Sequence, residues 1–307
     1  MARPASEQRR SHMARSPDED TLGMQRDFLE VDGLKVACVL TGHGPPVLLL
    51  HGFGEFIESW AYNIPALSQH FTVVAPDLPG HGQSDPPQQD VTLPYCLRFV
   101  IGLMDSLGIE RASLVGRSMG GPVCLGLAAE HPGRVNRIVL VSSAGYTSRV
   151  PLHYRLAVLP ILGDILLGPP ALINETTVRL AMKRQFYDPN RLPADWTRIA
   201  CHYLRMPHRN MTIRSIIRAN ANLISPRPRA DVPHYLPQVK TPILIIHGRQ
   251  DRLVPAEQAN VAVHLMPGAG LLLLDECGHN PQMEHASRFN ESVVSFLLEG
   301  RLPEGGR

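Results

Sequence analysis

The chain has 307 residues, 30 Lys and Arg against 28 Asp and Glu, and 44% apolar residues. Near-neutral charge and no recognised module argue against a nucleic-acid binder, no apolar run reaches transmembrane length, and no His-Glu-x-x-His, Cys-x-x-Cys or P-loop spacing occurs, so neither metal nor cofactor is expected. Five scattered cysteines, odd in number, read as reduced thiols, and no apolar segment follows Arg9-Arg10, so a cytoplasmic protein without stable membrane insertion is expected.

Residues 1–25 are polar and charged and read as a disordered tail, with Met13 and Met24 as alternative starts. Phe28 to Val39 reads as two strands joined at Asp32-Gly33, a hairpin signal. Apolar runs at 46–51, 71–76, 112–117, 135–142, 242–247 and 270–275 read as buried strands alternating with helices. The helix from Leu93 places Leu97, Val100, Ile101 and Met104 on one face. A C-terminal helix does the same with Phe289, Val293, Phe296 and Leu297 and stops at Gly300. This alternation predicts an α/β class: a mostly parallel central sheet covered by helices on both faces, built from residues 26–145 and 239–307.

Between residues 146 and 238 the alternation stops. Helix-like stretches at 152–167, 176–186, 194–204 and 211–223 are broken by prolines, and together they predict an inserted helical cap over the sheet edge. The cap carries 13 Lys and Arg against 5 Asp and Glu. Such a surplus either attracts anionic partners or is simply a solvated face.

The chemistry is concentrated in Gly116-Arg117-Ser118-Met119-Gly120-Gly121, between the strand ending at Val115 and an apolar helix. A Gly-x-Ser-x-Gly turn between strand and helix exposes its serine and aims it, which makes Ser118 the candidate nucleophile. Such a serine needs a base, an acid orienting the base, and a second backbone donor for the oxyanion. Asp251 lies in the loop after the strand 242–247 and is the acid candidate. His279 follows the last strand, in the order Ser, Asp, His, and is the base candidate. The oxyanion donors expected are the N–H groups of Phe53, in His51-Gly52-Phe53-Gly54, and of Met119. Arg117 and Glu55 are unusual beside this site, each either a salt-bridge partner holding the loop or a substrate contact.

These motifs, with Pro76-Asp77-Leu78-Pro79-Gly80-His81-Gly82, His247-Gly248-Arg249-Gln250-Asp251 and Cys277-Gly278-His279, resemble the α/β-hydrolase fold over about residues 26–300. The resemblance implies a serine hydrolase without cofactor, acting through an acyl-enzyme on a small-to-medium carboxylic ester. A serine at the elbow sets it apart from the epoxide hydrolases and haloalkane dehalogenases of this fold, which use aspartate. Ser-Met-Gly-Gly and Phe186-Tyr187-Asp188-Pro189 are also similar to the meta-cleavage-product hydrolases, which break carbon–carbon bonds. Two departures separate the chain from them. Asn280 stands where they have Trp after the histidine, and Ala200, with Arg198 nearby, stands where their cap carries an acid-gripping Arg. Carbon–carbon, thioester and lactone cleavage remain variants of the same machinery, and a non-catalytic binding protein on this scaffold is the alternative of another class. Oligomeric state is not legible.

Overall fold

A computed structural model of the chain describes residues 24–146, 156, 159, 172–192, 194–206, 208–220, 232, 236–266 and 268–303. The predicted tail, apart from its last two residues, lies outside them, as does all but two residues of the first cap stretch.

Eight strands form one sheet: β1 (Asp27–Val31), β2 (Leu34–Gly42), β3 (Pro46–Leu50), β4 (Thr72–Pro76), β5 (Ala112–Arg117), β6 (Val135–Val141), β7 (Ile243–Gly248) and β8 (Gly270–Leu274), in the order β1-β2-β4-β3-β5-β6-β7-β8. The hairpin β1–β2 is antiparallel and turns at Asp32 and Gly33, both at positive φ, the two-residue turn whose twist matches paired strands. β2 also runs antiparallel to β4, and every later pairing is parallel. β5 therefore lies at mid-sheet between β3 and β6, and the C-terminal ends of β3, β5, β7 and β8 share one edge. Ligands of such sheets bind beyond that edge.

Both faces of the sheet are covered. On one, α2 (Leu93–Ser106) and α3 (Gly120–Glu130) bury Leu97, Val100, Met104 and Leu125 against Leu48, Leu114 and Ile138. Ile101, predicted on the same stripe, is only half-buried at its margin. On the other face, α1 (Ile64–Leu67) and the C-terminal helix α9 (Ala286–Glu299), which follows α7 (Glu257–Leu265) and α8 (Pro281–Glu284), bury Leu67, Phe289, Val293 and Phe296 against Val73, Val139 and Ile246. Each such side chain contributes about 1.5–3 kcal/mol relative to exposure. Gly300 caps α9 in the left-handed conformation and closes it where the sequence predicts.

Among the described residues between 146 and 238, three helices form: α4 (Glu175–Met182), α5 (Ala194–Leu204) and α6 (Arg209–Asn220). α4 begins on a capping box between Asn174 and Thr177. It ends four residues before the predicted Phe186, and α6 starts two residues before Met211. Val178, Met182, Trp196, Ile199 and Tyr203 form a third apolar cluster that closes on Phe56 and Met283 beside the strand ends. Arg179, Lys183, Arg184, Arg198, Arg205 and Arg218 stay exposed.

Candidate active site

Ser118 follows β5 directly in a tight turn with φ at 48°, a left-handed conformation unusual for a residue with a side chain. Three backbone hydrogen bonds hold it there. Its N–H donates to Val141 O (2.9 Å), and its carbonyl accepts from Gly121 N (3.1 Å) and Ala144 N (3.3 Å). Met119 follows as the first residue of the turn into α3. A side chain at Gly120 would meet the Leu50 carbonyl oxygen at 2.4 Å, so only glycine lets α3 start this close to β3. The turn His51–Gly54 leaves the end of β3 and lies against the elbow: a Cβ at Gly52 would stand 3.2 Å from Ser118 Cβ. Phe53 and Met119, the predicted oxyanion donors, are thereby brought to the same strand edge as Ser118.

Asp251 and His279 are paired. His279 Nδ1 lies 2.6 Å from Asp251 Oδ2, and both side chains are almost wholly buried. The other carboxylate oxygen is occupied as well, Oδ1 accepting from Leu253 N (2.8 Å) and Val254 N (2.9 Å). His247, at the end of β7, adds a second imidazole: its Nε2 lies 2.8 Å from Val254 O and 3.3 Å from Asp251 Oδ2. Burial alone would raise the Asp251 pKa. The hydrogen bonds from His247 and His279 outweigh it and hold the carboxyl well below the usual carboxylate range. His279 is shifted down, first by burial and then by the charge of Arg117, against the pull of Asp251. A neutral imidazole held by a fixed carboxylate is the arrangement a general base requires.

Arg117 and Glu55 form a buried ion pair across the site. Both groups are taken up by protein, which resolves the choice left by the sequence in favour of the pair. Arg117 Nη2 also donates to Asn280 Oδ1 (2.7 Å) and His279 O (3.3 Å).

Sequence reasoning missed the frame around these residues. His51 donates from Nδ1 to Gly52 O (2.9 Å) and accepts from Leu78 N at Nε2 (2.9 Å). Burial, with the charge of Arg117, pushes it down to about 4, so it is neutral at pH 7. Asp77 accepts from Ile57 N (2.8 Å) and Gln83 N (2.9 Å) and is pushed up to about 7 by burial, against the charge of Arg26. Arg26 pairs with Glu58 and donates to the Tyr203 hydroxyl, which lies 3.2 Å from Glu58 Oε1. That cluster ties α5 to the turn after the Phe53 loop. The Asp77 and His51 motifs were visible as strings, whereas no local signal marks Arg26 or Tyr203.

The positions compared earlier with the meta-cleavage-product hydrolases have clear places. Ala200 is buried in the apolar cluster of α5. Arg198 points to solvent and pairs with Asp195 at 3.5 Å. Among the described residues no helix is long and apolar enough to cross a membrane. The five cysteines are unpaired and buried.

Residues 45–181 match the family model described as alpha/beta hydrolase fold, and residues 220–307 match that of TAP-like proteins. The 2-hydroxy-6-oxononadienedioate/2-hydroxy-6-oxononatrienedioate hydrolase of Burkholderia vietnamiensis is 34% identical over 274 residues, covering 84% of this chain and 88% of the relative. The dihydrolipoyllysine-residue acetyltransferase component of the acetoin cleaving system of Pseudomonas putida is 33% identical over 254 residues, 83% of this chain and 64% of that protein. Among solved structures, a meta-cleavage product hydrolase of Pseudomonas fluorescens IP01 superposes with a TM-score of 0.74 at 28% identity, covering 89% of this chain and 98% of the other.

Proposed function

The chain belongs to the α/β-hydrolase fold family, and from that premise we propose that it is a cytoplasmic serine hydrolase cleaving a carboxylic ester of a small-to-medium molecule. The observation that carries this reading is the buried Asp251–His279 pair at 2.6 Å, on the same sheet edge as a serine strained at positive φ. In the mechanism, Ser118 Oγ attacks the ester carbonyl while His279 Nε2 takes its proton. Asp251 keeps the other ring nitrogen protonated and stabilises the imidazolium. The N–H groups of Phe53 and Met119 hold the oxyanion, each worth about 3 kcal/mol of barrier. His279 returns the proton to the departing alcohol, which leaves an acyl-enzyme. Water, activated by the same imidazole, then hydrolyses that acyl-enzyme and frees Ser118. Every proton is accounted for by these residues and water, so the cycle calls for no cofactor.

A second reading, carbon–carbon hydrolysis, is favoured by the 34% identity with the Burkholderia enzyme. Three features of this chain weigh against it. The Asn280 side-chain oxygen is taken by Arg117, Ala200 is apolar and buried, and Arg198 faces solvent. At these places nothing stands ready to grip a substrate carboxylate.

The two readings separate in one assay. The purified protein is offered neutral p-nitrophenyl esters of increasing acyl length and, in parallel, a 2-hydroxy-6-oxodienoate. Faster turnover of an ester, abolished in Ser118→Ala, supports the proposal. Turnover of the dienoate alone replaces it with the second reading. Turnover of neither, with no Ser118 labelling by a fluorophosphonate, would point to a binding protein on this scaffold.

A further inference from the structure

Resting on the serine-hydrolase reading above, the geometry points to Arg117 as a positioning residue that locks three parts of the site together: the Ser118 elbow, the oxyanion turn and the His279 loop. Its position is unusual. It precedes Ser118 directly, so its backbone belongs to the elbow, yet its side chain is 3% exposed and reaches across to two other loops. One amino group pairs with Glu55 Oε1. Glu55 in turn accepts from Gly52 N through Oε2 (3.0 Å), which closes the turn that carries Phe53. The other amino group bonds Asn280 Oδ1 at 2.7 Å and the His279 carbonyl at 3.3 Å. Asn280 Nδ2 continues the chain to Gln185 O at 3.4 Å, and Gln185 O also accepts from His279 N at 2.6 Å.

A planar guanidinium offers donors in two directions at once, which a lysine ammonium at the end of a flexible stem cannot match. A Cβ on Gly52 would meet Arg117 Nη1 at 2.7 Å, so the guanidinium lies directly beneath the turn. Residues 55, 117 and 280 thus fix the spacing between the nucleophile, the base and the oxyanion donors. Misplacing such groups by about 1 Å is enough to cost about a hundredfold in rate.

The same cation acts on the charge of His279. The charged groups that act on His279 are Asp251 from the loop after β7, itself in contact with His247, Arg117 from β5 and Glu55 from the β3 loop. Glu284, from the short helix α8 (Pro281–Glu284), holds Gly278 N at 2.8 Å. Arg117 disfavours the imidazolium, whereas Asp251 and Glu55 favour it. Removing Arg117 or Glu55 therefore displaces the His279 titration in opposite directions, a signature that lost packing alone does not produce.

The test measures kcat and KM against pH on a neutral p-nitrophenyl ester for wild type, Arg117→Gln, Glu55→Gln, the double variant Arg117→Gln/Glu55→Gln and Arg117→Lys. Expected is a fall in kcat of about tenfold or more with KM little changed, as for lost alignment. The acid limb should move up in Arg117→Gln and down in Glu55→Gln. It should return near wild type in the double variant, whose kcat stays low. Arg117→Lys should restore the limb and not kcat. Where a single variant fails to fold, the double variant, which leaves no buried charge unpaired, decides: wild-type kcat overturns the inference. Limbs unmoved, or moved the same way in both singles, overturn it as well. A wild type that is neither labelled by a fluorophosphonate nor dependent on Ser118 would instead sink the serine-hydrolase reading itself.

Discussion

Replacing Asp251 by Asn changes one atom and should remove almost all activity. Asp251 Oδ1 accepts from Leu253 N and Val254 N, so the amide oxygen of an asparagine is drawn to that side. The amide NH2 then faces His279 Nδ1, where Oδ2 sits at 2.6 Å in the wild type. A donor in that place is satisfied only by an unprotonated Nδ1. The proton then moves to Nε2, the nitrogen required to accept the proton of Ser118. The same amide also confronts Nε2 of His247, now 3.3 Å from Oδ2. A wrong tautomer of this kind costs about four orders of magnitude in kcat, or about 5 kcal/mol of barrier. The assay is steady-state hydrolysis of a p-nitrophenyl ester at pH 8, with thermal unfolding as the control for folding. A variant within tenfold of wild type, with an unchanged unfolding midpoint, would refute the role of Asp251.

Other outcomes follow from the same geometry. Ser118→Ala and His279→Ala should be about equally damaging, and the double variant hardly worse than either, because the two act as a unit; a multiplicative loss in kcat would separate them. The acid limb of kcat/KM should have its midpoint below the ordinary imidazole value of about 6.5, since burial and Arg117 lower His279. The base is then neutral and active above that midpoint, and activity is lost as pH falls through it; a midpoint above about 6.5 in a pH–rate profile contradicts this. Phe289→Ala, at a fully buried ring packed near Trp60, should cost about 3–5 kcal/mol in denaturant unfolding while leaving kcat of the folded protein close to wild type.

Much of this was legible because it is local. Buried parallel strands are continuous apolar runs, and each of the six predicted ones lies within one residue of its observed bounds. The elbow could be read because close approach of β5, α3 and β3 demands glycine at fixed places around Ser118. Asp251 and His279 were candidates because each sits just past a strand end and the chain runs in the order Ser, Asp, His, and the structure pairs them. What escaped is long-range. Arg26 and Tyr203 are 177 residues apart, Arg117 and Asn280 are 163 apart, and no periodicity links such pairs. His247 was visible only as part of the His247–Asp251 string, and its contact with Asp251 depends on how the loop after β7 turns back. Arg117 and Glu55 stood out as charges in an apolar, glycine-rich setting, but their pairing depends on how two loops meet. The limits of α4 and α6 shifted by a few residues because short helices are set by packing on Phe56 and Met283 as much as by their own sequence.

In the proposed cycle Ser118 is a nucleophile activated by His279. The most direct test of that activation is labelling of the native protein by a fluorophosphonate, followed by peptide mass analysis. One phosphonyl group per chain is expected, on Ser118, formed rapidly in the wild type and not in His279→Ala. No label, or label on a residue other than Ser118, would contradict it.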